Sequence, residues 1–242
     1  SWYDYEGGSN AGLHPYDGET KFAYDGPEPP YEHLDVDKSY SWLKSPRWKG
    51  NAMEVGPLAR VLMLYATGHE QTQELVNYTL KTLNVPVDAL FSTLGRTAAR
   101  TLETKVVADT MQTWYDNLIG NIKAGDTRTF NEALWEPSSW PKQCQGVGFM
   151  EAPRGGLAHW IVIEDEKIAN YQAVVPSTWN AGPRDVQGQP GAYEAALAGH
   201  FLHDPAQPVE ILRTIHSFDP CIACAVHVTD PDGEELVQVK IR

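Results

Sequence analysis

The feature that most constrains the fold is a proline-free run between Ser92 and Lys123. In it Leu94, Ala98, Leu102, Val106, Met111, Trp114, Leu118 and Ile122 recur at steps of three to five residues. That spacing lines apolar side chains along one side of a helix, so the run predicts one long buried helix or two abutting ones. Neighbouring segments repeat the signal. Leu58, Val61, Leu62 and Tyr65 share a side of a helix that starts after Gly56-Pro57. Another helix runs from His69 to Leu83 and stops ahead of Val85-Pro86, because the residue before a proline avoids the helical region. The expected fold class is mainly α with a minor β component (α+β), the long helix forming part of a buried bundle.

The β component is read further on. Residues 157–164 and 167–175 are rich in Ile, Val, Tyr and Trp and flank the turn-like Asp165-Glu166, which predicts a hairpin ended by Pro176. Short helices are expected over residues 193–198 and 209–215. Residues 1–50 carry breakers at Gly7-Gly8, His14-Pro15, Gly26-Pro27 and Pro29-Pro30, so they should be extended or irregular with at most short strands. Residues 137–148 read as loop, and an internal boundary near 137 separates either two layers of one domain or two domains. The tail beyond residue 227 reads as polar.

Charge removes one class of function. A net charge of -13 over 242 residues argues against a nucleic-acid surface, which needs clustered Lys and Arg against phosphate. Apolar stretches such as residues 59–66 fall well short of the ~20 residues that span a bilayer. The chain opens on Ser1 with neither a charged nor an apolar leader region, so no signal peptide is read.

Three cysteines are too few for a disulfide scaffold, and two of them form Cys221-Ile222-Ala223-Cys224. At that spacing the intervening turn points both sulfurs to one side, and a soft thiolate pair suits zinc, nickel or iron. On spacing alone a metal site, redox work and inert buried thiols all stay open. A zinc site would need two more ligands at zinc-ribbon spacing, and the remaining cysteine, Cys144, stands by itself. A thioredoxin-like site would want the pair opening a helix, whereas Pro220 precedes it.

The wider run, Ser217-Phe218-Asp219-Pro220-Cys221-Ile222-Ala223-Cys224-Ala225-Val226-His227, resembles the carboxy-terminal motif of nickel-iron hydrogenase large subunits. The resemblance extends along the chain through Gly56-Pro57-Leu58-Ala59-Arg60, Glu151-Ala152-Pro153-Arg154-Gly155, Val175-Pro176-Ser177-Thr178-Trp179-Asn180 and Gly182-Pro183-Arg184-Asp185. It is closest to the membrane-associated uptake type. The implied fold is the helical-bundle core of the large subunit.

In that family two Cys-x-x-Cys pairs hold nickel through four thiolates, two of which bridge to an iron carrying carbon monoxide and cyanide. The resemblance implies Cys221 as a terminal nickel ligand and Cys224 as a bridging one. The other pair, of the form Arg-x-Cys-Gly-x-Cys, does not occur here, so the expectation is the carboxy-terminal part of a longer subunit. Arg154 resembles the arginine whose guanidinium hangs over the metals, flanked by Pro153. Val175, Pro176 and Ser177 resemble the segment that lines the iron and hydrogen-bonds the second cyanide. Asp219 is expected to pair with Arg154 or its network, although an Asp before a proline also caps turns. His227 resembles a terminal histidine that binds a magnesium-type ion together with a backbone carbonyl matching Ala173.

The implied reaction is reversible heterolytic cleavage of molecular hydrogen, with Arg154 as base or electrostatic partner and Cys221 able to accept a proton. Implied partners are an iron-sulfur small subunit, nickel-insertion factors and a maturation endopeptidase. That endopeptidase would cut between His227 and Val228, making residues 1–227 part of the mature domain and 228–242 a removable extension. The implied location is the periplasmic face of the cytoplasmic membrane, reached by export with the small subunit. Glu54, Arg60, Arg96, Arg100 and Glu103 read as helix-face or buried ion-pair residues, and His159 and His216 as structural. Two rivals stand beside this reading: a non-catalytic relative like the quinone-site subunit of complex I, and a zinc or thiol binding module.

Overall fold

The computed structural model describes residues 14–17, 41, 43, 45–130, 132–133 and 135–220, together with the backbone of the short terminal strands given below. Near the start, β1 (Tyr3–Asp4) pairs antiparallel with β2 (Ser9–Gly12), and β3 (Tyr24–Asp25) with β4 (His33–Leu34). Short strands are what the Gly- and Pro-rich composition allows.

The helical layer follows. α1 (Pro57–Ala66) opens with proline at its first position, where the missing N–H would have had no partner. α2 (Glu70–Leu83) is capped by the His69 ring, which accepts from the Thr72 N–H, and ends at Asn84 in the left-handed region ahead of Pro86. A 3-10 turn (Val87–Leu90) leads to α3 (Thr93–Lys123), where the Ser92 hydroxyl accepts from the Gly95 N–H at 3.0 Å. Leu58 and Val61 of α1, Val76 of α2, Leu90 of the 3-10 turn and Ala99 of α3 make a buried cluster, with Leu62, Tyr65, Leu80 and Leu102 packed around it.

The proline-free run is thus one helix, but the expectation that it is buried fails along most of its length. Only Gly95 and Ala99 are buried, whereas Val107, Met111, Trp114, Leu118 and Ile122 are 44–60% exposed. Periodicity reports the helix; burial needs a partner. The core formed with α1 and α2 reaches along α3 no further than Leu102.

A three-stranded antiparallel sheet comes next, in the order β5 (Gln143–Ala152), β6 (Gly155–Glu164), β7 (Lys167–Val174). The β6–β7 turn falls at Asp165 and Glu166, both with positive φ, as a two-residue hairpin turn requires. Loop was expected over 137–148, and from Gln143 onward that is corrected to strand. Gly146, Gly148 and two glutamines dilute the local β signal, and pairing with β6 supplies the order, with Cys144 opposite Ile163 and Phe149 opposite Ala158.

After the sheet come α4 (Pro176–Asn180), where Pro176 both ends β7 and starts a helix, α5 (Ala192–Leu197) and α6 (Val209–Ser217). The polar tail forms a strand pair. β8 (Ala225–Thr229) pairs antiparallel with β9 (Glu235–Lys240), with Val226 opposite Val239 and Val228 opposite Val237. Alternating valines favour a strand even among charged neighbours. No helix among the described residues is long and apolar enough to cross a membrane.

Candidate active site

The site is built around a two-residue turn. Ala152 and Gly155 pair across the β5–β6 hairpin, leaving Pro153 and Arg154 as its tip. Proline presets the backbone of such a corner. Gly155 has φ +133, and a Cβ there would stand 2.6 Å from Val55 Cγ2 and 2.8 Å from the Gly56 nitrogen. Gly56, at φ +127, would bring a Cβ within 3.0 Å of the Arg154 carbonyl. Both glycines are required for the turn to lie against the strand-like segment that leads into α1.

That segment is itself clamped. Asn180 at the end of α4 accepts from the Val55 N–H through Oδ1 and donates from Nδ2 to the Val55 carbonyl, both at 2.9 Å. Asp185 accepts from the Ala52 N–H at 3.1 Å and from the Gln187 and Gln189 N–H groups at 2.9 Å. Asn180 and Asp185 are 1% and 5% exposed. Burial pushes the Asp185 carboxyl up, but the three backbone N–H donors and the charge of Arg47 outweigh it and hold the group below its ordinary range.

Arg60, one turn into α1, holds the hairpin tip from the other side. Its Nη1 donates to Glu151 Oε2 and the Ala152 carbonyl, both at 2.9 Å. Its Nη2 donates to the Pro153 carbonyl and to Glu103 Oε2, both at 2.8 Å, and its Nε donates to Glu103 Oε1. The Glu103 bonds, opposed by burial and reinforced by Glu151, raise the already high pKa of this guanidinium.

A second arm brings in Asp219. Arg96 of α3 makes a two-pronged pair with Glu54 at 2.7 and 2.8 Å, and its guanidinium carbon lies 4.0 Å from the centre of the Phe218 ring. Arg100 donates to the Ser217 carbonyl at 2.9 Å. These contacts fix the end of α6, after which Asp219 takes φ +53 and turns the chain toward Pro220. Asp tolerates that left-handed conformation better than most residues. The expected pairing is present, with Arg154 Nη2 3.4 Å from Asp219 Oδ1. Both side chains are about 40% exposed, so in water this contact adds little stability. Its value is orientation.

The Arg154 Nε is buried and has no hydrogen-bond acceptor among the described residues. A buried charged N–H without a partner is costly, and an acceptor atom of a bound group fits there. The polypeptide beside it runs from Asp219 straight to Cys221, whose soft thiolate chemistry suits nickel and iron. Cys221 and Cys224 themselves lie outside the described residues, and His227 and Val228 are placed by backbone pairing alone, opposite Gln238 and Val237. Ala173 lies in β7 opposite His159, whose ring bonds the Tyr171 hydroxyl. Val175 is the residue before α4, while Pro176 and Ser177 are buried in its first turn. Cys144 is a free thiol in β5.

The residues read as ion pairs do pair, Glu54 with Arg96 and Arg60 with Glu103. What sequence reasoning missed is where Arg60 points, and that Asn180 and Asp185 clamp the backbone beside it. The available signal was the recurrence of Gly, Pro, Arg, Asn and Asp in four separate motifs, which the fold brings to one place.

Comparison with known proteins agrees with this assembly of motifs. A family model described as nickel-dependent hydrogenase matches residues 1–227. The chain is 54% identical, along its whole length, to the uptake hydrogenase large subunit of Bradyrhizobium diazoefficiens, and 49% identical to the hydrogenase-1 large chain of Escherichia coli. It spans 41% of the length of each of these relatives. Among solved structures, the Ni-Fe-Se hydrogenase of Desulfovibrio vulgaris Hildenborough superposes with a TM-score of 0.64 at 34% identity. That match covers 91% of this chain and 42% of the other. The [NiFeSe]-hydrogenase of Desulfomicrobium baculatum gives 0.65 at 33% identity, with the same coverage. The clamped Pro153-Arg154 turn, the Asp219 that meets it and the Cys-x-x-Cys that follows are therefore features of a chain that belongs to the nickel-dependent hydrogenase family.

Proposed function

We propose that this chain is part of a hydrogenase large subunit that cleaves molecular hydrogen reversibly into protons and electrons at a nickel-iron centre. The observation that carries the proposal is the Arg154 turn. A guanidinium whose buried Nε has no acceptor among the described residues sits on a clamped hairpin tip, beside a carboxylate two residues ahead of Cys221. Held by Cys221 and Cys224 with two thiolates from elsewhere in the subunit, the centre would supply a Lewis-acidic metal pair that polarises hydrogen. Arg154 would contribute a positive fork fixed by its clamped turn, its buried Nε donating to a cyanide nitrogen of the bound centre and its Nη groups facing the developing charge. Asp219 keeps that fork turned inward. Cys221 Sγ would accept the proton, Pro153, Val175 and Pro176 would line the iron side of the centre, and the Ser177 hydroxyl would donate to the second cyanide.

His227 and the Ala173 carbonyl would hold a magnesium-type ion. Electrons would leave to an iron-sulfur small subunit, with the complex at the periplasmic face of the cytoplasmic membrane. Residues 228–242 would be removed after His227 by a maturation endopeptidase once nickel-insertion factors have acted.

The test uses the complete subunit made with its small subunit and maturation proteins. Metal analysis should find nickel and iron, and infrared spectra should show carbon monoxide and cyanide bands. Cys221→Ser and Cys224→Ser should each lose nickel, because a hydroxyl is a poor soft-metal ligand. Full nickel content in both variants overturns the assignment, and zinc at one equivalent in place of nickel favours a zinc module.

A further inference from the structure

We infer that Arg60 is a positioning residue for Arg154, acting through the backbone of the hairpin tip; the inference rests on the role proposed for Arg154. A guanidinium has five N–H donors, and all five of those on Arg60 are engaged. Two go to Glu103 of α3, one to Glu151 and one to the Ala152 carbonyl of β5, and one to the Pro153 carbonyl of the turn. One side chain thus joins three segments that lie 43 to 93 residues away in the sequence.

The position of the last two acceptors matters most. The Ala152 and Pro153 carbonyls belong to the two peptide groups that run into Arg154, and each peptide is planar. Holding the Pro153 carbonyl at 2.8 Å therefore sets the plane of the peptide that joins Pro153 to Arg154, and with it the direction in which the Arg154 side chain leaves the backbone. Gly56 and Gly155 bring the turn so close to the segment ahead of α1 that a Cβ at either position would collide with it. Among the described residues the Arg154 side chain has a 3.4 Å contact to Asp219 to orient it, so the precision of its placement comes from the backbone. Lysine cannot replace Arg60 here, because three donors on a flexible stem cannot span two carbonyls and two carboxylates in one plane.

The test is a double-mutant cycle in the complete subunit with its small subunit, reading metal content, kcat against KM for hydrogen, and the infrared bands of the diatomic ligands. Arg60→Lys should retain nickel and iron, shift the cyanide bands, and lower kcat by about 10- to 100-fold with KM little changed, the scale of a small misplacement of a reacting group. In an Arg154→Lys background the same replacement should lower kcat by less than about twofold, since residues acting as one unit are not additive. If Arg60→Lys gives no soluble subunit, Glu103→Gln and Glu151→Gln carry the same cycle. Equal losses in both backgrounds, or unmoved cyanide bands with wild-type kcat, overturn the positioning role while leaving the function intact. A wild-type subunit without nickel overturns the function and this inference with it.

Discussion

The two ends of α3 belong to one continuous helix and live in opposite surroundings. Its first turns carry Gly95 and Ala99 into the core and present Arg96, Arg100 and Glu103 to Glu54, Ser217 and Arg60. Its later turns hold Met111, Trp114, Leu118 and Ile122 out to solvent. The apolar spacing runs through both ends, although Leu94 at its start is itself 80% exposed and the buried positions are Gly95 and Ala99 beside it. A hydrophobic stripe therefore states that a helix expects company and leaves the company unnamed. The exposed end suits burial against the remainder of a longer protein, since the curated relatives extend well beyond the 41% matched here.

The largest expected effect breaks that comparison directly. Leu118→Asp in the complete protein should cost several kcal/mol by burying an unpaired charge, and should prevent its folding and assembly. In this chain alone it should change stability by less than about 0.5 kcal/mol. Gel filtration and denaturation midpoints of both forms decide it, and normal assembly of the complete variant would mean that this end of α3 faces water throughout.

Two glycines of the same helix sharpen the contrast. A Cβ on Gly95 would stand 2.1 Å from the Leu90 carbonyl oxygen, so Gly95→Ala should destabilise by about 1–3 kcal/mol through overpacking. A Cβ on Gly120 meets nothing within 4 Å, so Gly120→Ala should stabilise by about 0.5–1 kcal/mol through helix propensity. Urea unfolding of the two variants should thus move in opposite directions. A shift of the same sign in both would show that the ends are not as different as they look.

Between those two in size lies the clamp at Asp185. Its folded carboxyl is held below the ordinary value of 3.8, so its contribution is full above that value and disappears as pH falls through the lowered one. Asp185→Asn should cost about 1 kcal/mol near neutrality, the net scale of one lost hydrogen bond, because the amide oxygen still accepts from part of the set. It should also flatten the loss of stability on acidification below about pH 4. Melting temperatures taken across that range test it, and a variant with the wild-type acid slope would assign the acid sensitivity to other carboxylates. Leu118→Asp should leave the slope unchanged.

Much of the fold was legible because its signals are local. Gly56-Pro57, Val85-Pro86 and Asp165-Glu166 mark the element boundaries, and α1, α2, α3 and the β6–β7 hairpin sit between them. β5 was not, because Gln143, Gly146 and Gly148 carry no β preference of their own and the strand exists through its register with β6. The site divides in the same way. Arg154, Asp219 and the cysteine pair stood out as motif residues. The partners of Arg60 did not, since nothing near position 60 announces a carbonyl 93 residues away.

That distance has a consequence for motion. Because one guanidinium ties α1 to α3 and to the hairpin tip, the Pro153-Arg154 turn must break bonds to α1 in order to open. A surface turn would ordinarily exchange its amide hydrogens through cheap local fluctuations. Here the Arg154 and Gly155 amides should exchange in step with those of the buried turns of α1, so that a hairpin tip reports the opening of the core.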